Sequence, residues 1–377
     1  MVAPVRPAPP AALVDALRAA HIPVESLEEA CRACGEACDE DDDADLDYPK
    51  GFDMDLESTM LGELKPYGRQ ILVSTGKSDW IREVTDDDES IPGLVRRAYD
   101  NAVKDEAKGG KGVLGKLGNK LFGGNGGDKH EAGPPGVHPS SAAPPIDTAV
   151  SSKLSVLASS FISSSHEGHR ESVIVLPDYK VVHEMEASRV AAEELVQGYL
   201  QPDAGRAGAA DATGSLRSWP LPYHCIVLLC SHRKRDKRCS IAAPLLISQF
   251  HHHLEKHGLH VDERGDDLTE DGLPIEEWEG TPEEKELRLR ETLQGVKTDG
   301  GRVGLFKVSH IGGHRYAGNV ILYFPNGSSV WFGRVTPADV GTIVDRTIMQ
   351  GKVIPELLRG GLGLEGKDGG PRGVLDW

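Results

Sequence analysis

Apolar residues in this chain fall into short runs separated by longer amphipathic stretches, and these two periods set its elements. The strongest runs are Ile226-Val227-Leu228-Leu229 and Val303-Gly304-Leu305-Phe306-Lys307-Val308, which predict two buried strands. Residues 68–74 predict another, broken by Thr75-Gly76-Lys77, and Ser172-Val173-Ile174-Val175-Leu176 predicts one ended by Pro177. Residues 180–183 give a further strand, and residues 319–324 and 330–335 a hairpin around Pro325-Asn326-Gly327. Helical spacing predicts helices over residues 11–19, from Ser26 towards Cys31, over 92–103 and over 187–200, where Val190, Leu195 and Leu200 form the stripe. Residues 241–257 predict a helix with Leu245, Leu246, Phe250 and Leu254 on one stripe. Pro282 opens another, running to about Gln294, and Thr336 caps a last one that begins at Pro337 and runs to about Gly351.

The resulting fold class is α/β. Residues 218–352 follow the order β-α-(β)-α-β-β-β-α, the plan of a thioredoxin-like domain, and a smaller α/β lobe at 25–200 precedes it. Gly, Ala, Asp and Ser mark 201–217 as a linker. Gly, Lys, Pro and Ala mark 105–150 as a disordered insertion in the first lobe. Residues 1–24 read as a flexible N-terminus and 353–377 as a tail, glycine-rich from Gly360 to Gly373.

Composition narrows the function classes. At 377 residues there is room for two cores, while 44 Gly and 24 Pro agree with a partly unfolded chain. A formal net charge of -17 argues against nucleic acid or an anionic membrane as a general partner. No unbroken apolar run reaches about 18 residues, so no membrane span is expected. Prolines and Asp15 interrupt the first twenty residues; they suit neither a secretory signal nor an acid-poor mitochondrial presequence, which leaves the cytoplasm as the expected compartment and the mitochondrion as the alternative. Gly110 to Lys116 has the spacing of a phosphate-binding loop, but Leu117 stands where a magnesium hydroxyl belongs and no strand precedes it. Neither a dinucleotide fingerprint nor a nucleophile elbow is present.

The chemistry concentrates behind the two strongest strands. The first leads into Cys230-Ser-His-Arg-Lys-Arg-Asp-Lys-Arg-Cys239 and the second almost into His310-Ile-Gly-Gly-His314. Two sulfur and two imidazole donors at one sheet edge suit either zinc or an iron–sulfur cluster. A zinc finger would hold its cysteines about 2–4 residues apart, so here the fold must assemble the donors. The five cations between the cysteines form a positive island, which would favour a reduced cluster or dock an acidic partner, or simply make a solvated turn. Cys225 reads as a core residue, and His251, His252, His253, His257 and His260 as a solvated helix face. Cys31, Cys34 and Cys38 precede an acidic run that opposes thiolate formation.

The segments Cys230 to Pro244, His310 to Ile321, Trp331-Phe-Gly-Arg-Val-Thr-Pro337 and Gly351 to Gly361 resemble the sucrase/ferredoxin-like proteins of fungi. The resemblance is dense over the second lobe and thinner over the first, at Gln70 to Trp80 and around Leu176-Pro-Asp178. It implies a thioredoxin-like ferredoxin domain with a [2Fe–2S] cluster held by Cys230, Cys239, His310 and His314, as in Rieske centres but on another fold. An electron carrier with an unidentified redox partner is then expected, rather than an enzyme with its own substrate. The rivals are a structural zinc adaptor and a thiol–disulfide oxidoreductase using Cys31/Cys34 or Cys230/Cys239. The closing residues Leu375-Asp376-Trp377 look like the aliphatic-acidic-aromatic signal through which client proteins meet the cytosolic iron–sulfur assembly targeting complex. A partner pocket would bury Trp377 while cations meet its carboxylate and Asp376.

Overall fold

The computed structural model describes Arg6 and residues 8–33, 47–61, 63, 67–109, 137–138, 153–164, 167, 169–202, 204–209, 214–265, 268, 272–297 and 300–364. Its strands are β1 (Arg69–Ser74), β2 (Val137–His138), β3 (Leu154–Ser159), β4 (Arg170–Leu176), β5 (Lys180–Glu186) and β6 (Arg217–Pro220) in the first half. The second half carries β7 (Tyr223–Cys230), β8 (His260–Asp262), β9 (Arg302–Val308), β10 (Val320–Tyr323), β11 (Ser329–Phe332) and β12 (Leu358–Leu362).

All of them join one mixed sheet, ordered β2-β12-β11-β10-β7-β9-β3-β1-β4-β5-β6, with β8 also on β9. The centre of the second half is β7, parallel to β9 and antiparallel to β10. With β11 antiparallel to β10 and helices following β7 and β11, this half has the predicted thioredoxin-like plan. Every residue of β7 is buried. Cys225, Val227 and Leu229 pack on Leu246, Phe250 and Leu254 of the helix Lys237–Lys256, and Ile226 and Leu228 pack with Phe306 and Leu289 on the other face. Burial on both faces is why the strand reads as a continuous apolar run. Cys225 is thus the core residue expected. The two halves join at Ser159 opposite Val308, where β3 takes over from β8 along β9, and again at the far edge, where β2 pairs with β12.

Several elements differ from the sequence reading. Helix Lys237–Lys256 begins four residues early because the Asp236 side chain accepts from the Arg238 N–H and caps it, so Cys239 sits in its first turn rather than ahead of it. On that helix Ala242 and Ala243 are buried while Leu245 is only half-buried. In the helix Arg189–Leu195, Val190 is 74% exposed and Ala191, Ala192 and Leu195 face the core, since small residues let the helix lie close. Within the segment read as a disordered insertion, helix Ile91–Gly109 extends to its start and Val137–His138 pairs with Gly361 and Leu362. The remainder, 110–136 and 139–150, lies outside the described residues. The segment read as a tail contains β12, which is buried and paired with β11.

The segment read as a linker is pinned by a buried charge group. Asp178, fully buried, accepts from Arg69 Nε at 3.0 Å and faces Lys180 Nζ at 3.7 Å. Arg69 also donates to the carbonyls of Gln201 and Ala204. Arg206 reaches the carbonyls of Asp178 and Pro325. Burial lowers the Arg206 pKa to about 10, with Asp178 opposing the shift. Among the described residues, no helix is long and apolar enough to cross a membrane.

Candidate metal centre

Parallel pairing of β7 and β9 places Cys230 opposite Val308, so both strands end together. The backbone past these ends forms the Cys230–Cys239 and His310–His314 loops, the position where ligands bind in open α/β sheets. Cys230 and Cys239 are 4% and 1% exposed, both free, and their side chains hydrogen-bond to each other. Cys230 Sγ also accepts from the His310 side chain and from the Ile311 backbone N–H. These contacts, led by the one from Cys239, hold the Cys230 thiol well below its usual range against the cost of burial. Cys239 is pushed up, first by the hydrogen bond to Cys230 and then by burial. The two shifts have one origin, the contact between the thiols, which lowers Cys230 and raises Cys239.

His310 is half-buried and its Nδ1 is a buried atom without a hydrogen-bond partner. The His314 ring lies 5.5 Å from the His310 ring and is exposed. Partial burial holds its pKa below the ordinary histidine value, Asp236 opposing and His310 reinforcing the shift. Gly312 and Gly313 between them have φ of +81° and +65°, which any residue with a Cβ resists. At Gly313 a Cβ would also collide with the Arg359 guanidinium.

The supporting residues come from distant parts of the chain, and sequence reasoning missed them. His232, 1% exposed, accepts the His310 N–H at its Nδ1 (3.2 Å), so its proton is on Nε2, which donates to the Trp80 carbonyl (3.0 Å). Ser231 Oγ donates to the Ser78 carbonyl. Arg359, buried on β12, donates to Asn319 Oδ1 at 2.6 Å, while Asn319 donates to the Gly313 carbonyl. Arg359 is close enough to both sulfurs to feel their charge. Its one sequence signal was a cation inside an apolar strand. Residues 47–61 strap over the His loop: Tyr48 donates to the Val335 carbonyl, Asp55 N–H to the Arg315 carbonyl, and Tyr316 to the Thr59 carbonyl.

Two of the five cations of the positive island are engaged by acids. Arg235 pairs with Glu83, and Arg238 with Asp236 at 2.8 Å and with the Asp53 carbonyl. Arg233, Lys234 and Lys237 are exposed. The helix histidines pair with acids, His257 with Asp345 at 2.6 Å and His251 with Glu263 at 2.9 Å. Cys31 is exposed, and Cys34, Cys38 and the tripeptide Leu375-Asp376-Trp377 lie outside the described residues.

Among the described residues, no group of three or more His, Cys, Asp or Glu side chains forms a ready-made single-ion site. The donors instead fall into two pairs, Cys230 with Cys239 and His310 with His314. A two-iron cluster asks for two protein donors on each iron, and the donor types and the unpartnered His310 nitrogen fit that requirement.

The fold is that of an α/β protein with a thioredoxin-like plan, in which two cysteines and two histidines lie on the loops that follow its two central parallel strands. The chain belongs to the sucrase/ferredoxin-like family, whose pattern it matches over residues 60–360. It is similar to Altered inheritance of mitochondria protein 32 of Debaryomyces hansenii, 38% identical over 36% of this chain and 35% of that protein. The protein of the same name from Clavispora lusitaniae is 30% identical over 54% of this chain and 63% of its own length. Actin patches distal protein 1 of Saccharomyces cerevisiae is 28% identical over 48% of each chain. The chain thus spans from about a third to under two thirds of the length of these relatives. No solved structure matches it.

Proposed function

We propose that this protein binds a [2Fe–2S] cluster, with Cys230 and Cys239 on one iron and His310 and His314 on the other, and serves in electron transfer or redox homeostasis. The observation that carries the reading is the convergence of the Cys230–Cys239 and His310–His314 loops past the paired ends of two parallel strands, where Cys239 and His310 both act on the Cys230 thiol. The cluster, when bound, supplies one-electron chemistry. The chain's own residues prepare the site for it. Asp236 caps helix Lys237–Lys256 and so fixes Cys239 in its first turn. Arg359 offsets negative charge on the sulfurs, and Arg359 and Asn319 fix the glycine turn that presents the imidazoles. The strap at 47–61 covers part of the loop, while exposed His314 leaves a short path to a partner. Protein purified without oxygen is expected to be brown-red, to bleach with dithionite, and to carry two iron and two acid-labile sulfide per chain. A colourless protein with one zinc per chain would replace this reading with the structural zinc adaptor.

We also place the protein in the cytoplasm, loaded there by the iron–sulfur assembly targeting complex through Leu375-Asp376-Trp377. The indole of Trp377 is the kind of large amphipathic group that a partner pocket recognises by burying it. Removing Trp377 should cut the iron content of protein isolated from cells several-fold while leaving reconstitution in vitro intact. Equal iron in truncated and full-length protein from the same cells would rule this route out.

A further inference from the structure

Beside the ligand loop, an open cleft of about 470 Å³ runs between the two halves. Its lining includes His310, Gly312, Gly313 and Arg359 from the ligand loop and its support, and Arg82, Arg96 and Lys153 from the first half. Leu154, Val156, Ile311 and Trp331 contribute apolar wall between them. The acids on its surface, Glu63 and Glu83, are each engaged by an arginine outside the lining, Arg315 and Arg235. Arg96 donates to the Leu154 carbonyl at 2.8 Å and has Asp100 3.9 Å away, which leaves its guanidinium only weakly neutralised. Buried Arg359 has a donor, Nε, without a partner. Arg82, Arg96 and Arg359 outnumber the two lining acids, each of which also pairs with an arginine outside the cleft, so the cleft interior is positive in a protein whose formal charge is -17. Clefts lined by one sign of charge with apolar walls concentrate ligands of the opposite sign.

We propose that this cleft binds a small organic anion carrying carboxylate or phosphate groups, seated between the Arg96–Lys153 rim and the His310–Gly313 loop. The ligand's charge meets the rim cations and its carbon body lies along Trp331 and Val156. Its inner end touches the loop that carries the candidate ligands. The binding itself stands on the cleft alone; only a role for the bound anion in electron transfer rests on the cluster reading.

The test is titration calorimetry of the full-length protein, as purified, with citrate as the carboxylate probe and inorganic phosphate as the phosphate probe. Saturable binding of at least one probe is expected. Arg96→Gln and Lys153→Gln should each weaken it about tenfold or more, since each removes a charge-assisted contact with the anion. Arg82→Gln, fully on the surface, gives a third rim variant should either of the others fold poorly. Arg189→Gln removes an exposed cation away from the cleft, paired with Glu193, and should leave affinity unchanged. Tighter binding of citrate assigns carboxylate chemistry, and tighter binding of phosphate the other. No heat from either probe up to about 10 mM, well beyond the weak end of specific binding, would overturn the site. So would equal weakening by Arg189→Gln and the rim variants. Repeating the titration on iron-free protein separates the two readings, because the anion should bind there as well.

Discussion

Cys230→Ala and Cys239→Ala proteins, purified without oxygen, are expected to carry less than about a tenth of the parent's iron and sulfide, because each removes half of the thiolate ligation of one iron. Cys230 has the larger role in the structure. Its sulfur accepts from Cys239, His310 and Ile311 N–H, so alanine also releases the loop that presents the imidazoles. Cys239 supplies the second sulfur from a helix whose cap, Asp236, is independent of it, and its alanine variant should keep the fold. Cys225→Ala is the matched control: it is equally buried on the same strand but touches neither loop, so it should lower stability slightly and leave iron unchanged. His310→Cys and His314→Cys should keep a cluster at lower potential, since thiolate adds negative charge where imidazole has none. Iron analysis with visible spectroscopy decides the matter, and full iron and sulfide in both alanine variants would end the assignment.

Asp178→Ala should be the most damaging single change in the first half of the molecule. The carboxylate lies between Arg69 and Lys180, and Arg206 takes its backbone carbonyl; all four residues are buried. Removing it takes the nearest counter-charge from Arg69 and Lys180, both away from water. Truncating one member of a buried ion group costs about 3–5 kcal/mol, against a typical total of about 5–15 kcal/mol for a domain. Asp178→Asn keeps one acceptor oxygen but loses the charge, and should fall between alanine and the parent. Urea unfolding followed by circular dichroism gives the three stabilities. An alanine variant within about 1 kcal/mol of the parent, the ordinary effect of a surface change, would mean that the cations find other partners.

The elements legible in the sequence were those whose local pattern already contained their burial. β7 and β9 are covered on both faces, so their runs are apolar throughout. Ser26, Thr281 and Thr336 each cap a helix through a reciprocal bond with an acid three residues on, a signal contained in four residues. The four donors stood out for the same reason, as compact motifs behind strong strands. Their surroundings did not. The partners of the basic loop, Asp79 and Glu83, are about 150 residues away in sequence, and nothing local says that Arg235 is held rather than free. Arg359 and Trp80 enter the site through sheet order alone, which no single segment encodes. β2 was missed because two residues carry no period, and its pairing with β12 is made by the distant strand.

The His232 clamp and the Arg359 plug also set an order of events while the chain is being made. Trp80, whose carbonyl anchors His232, leaves the ribosome long before Arg359, which props the glycine turn. At translation speeds of about 5–20 residues per second, the interval between them is roughly 15 to 55 seconds. For most of that time the early strands can pair among themselves while β7 still lacks its neighbours β9 and β10, which end at Val308 and Tyr323, and the glycine turn lacks Arg359 until the end. The site is therefore among the last parts of the described structure to close, and a nascent chain should present its thiols exposed before it can shelter anything between them.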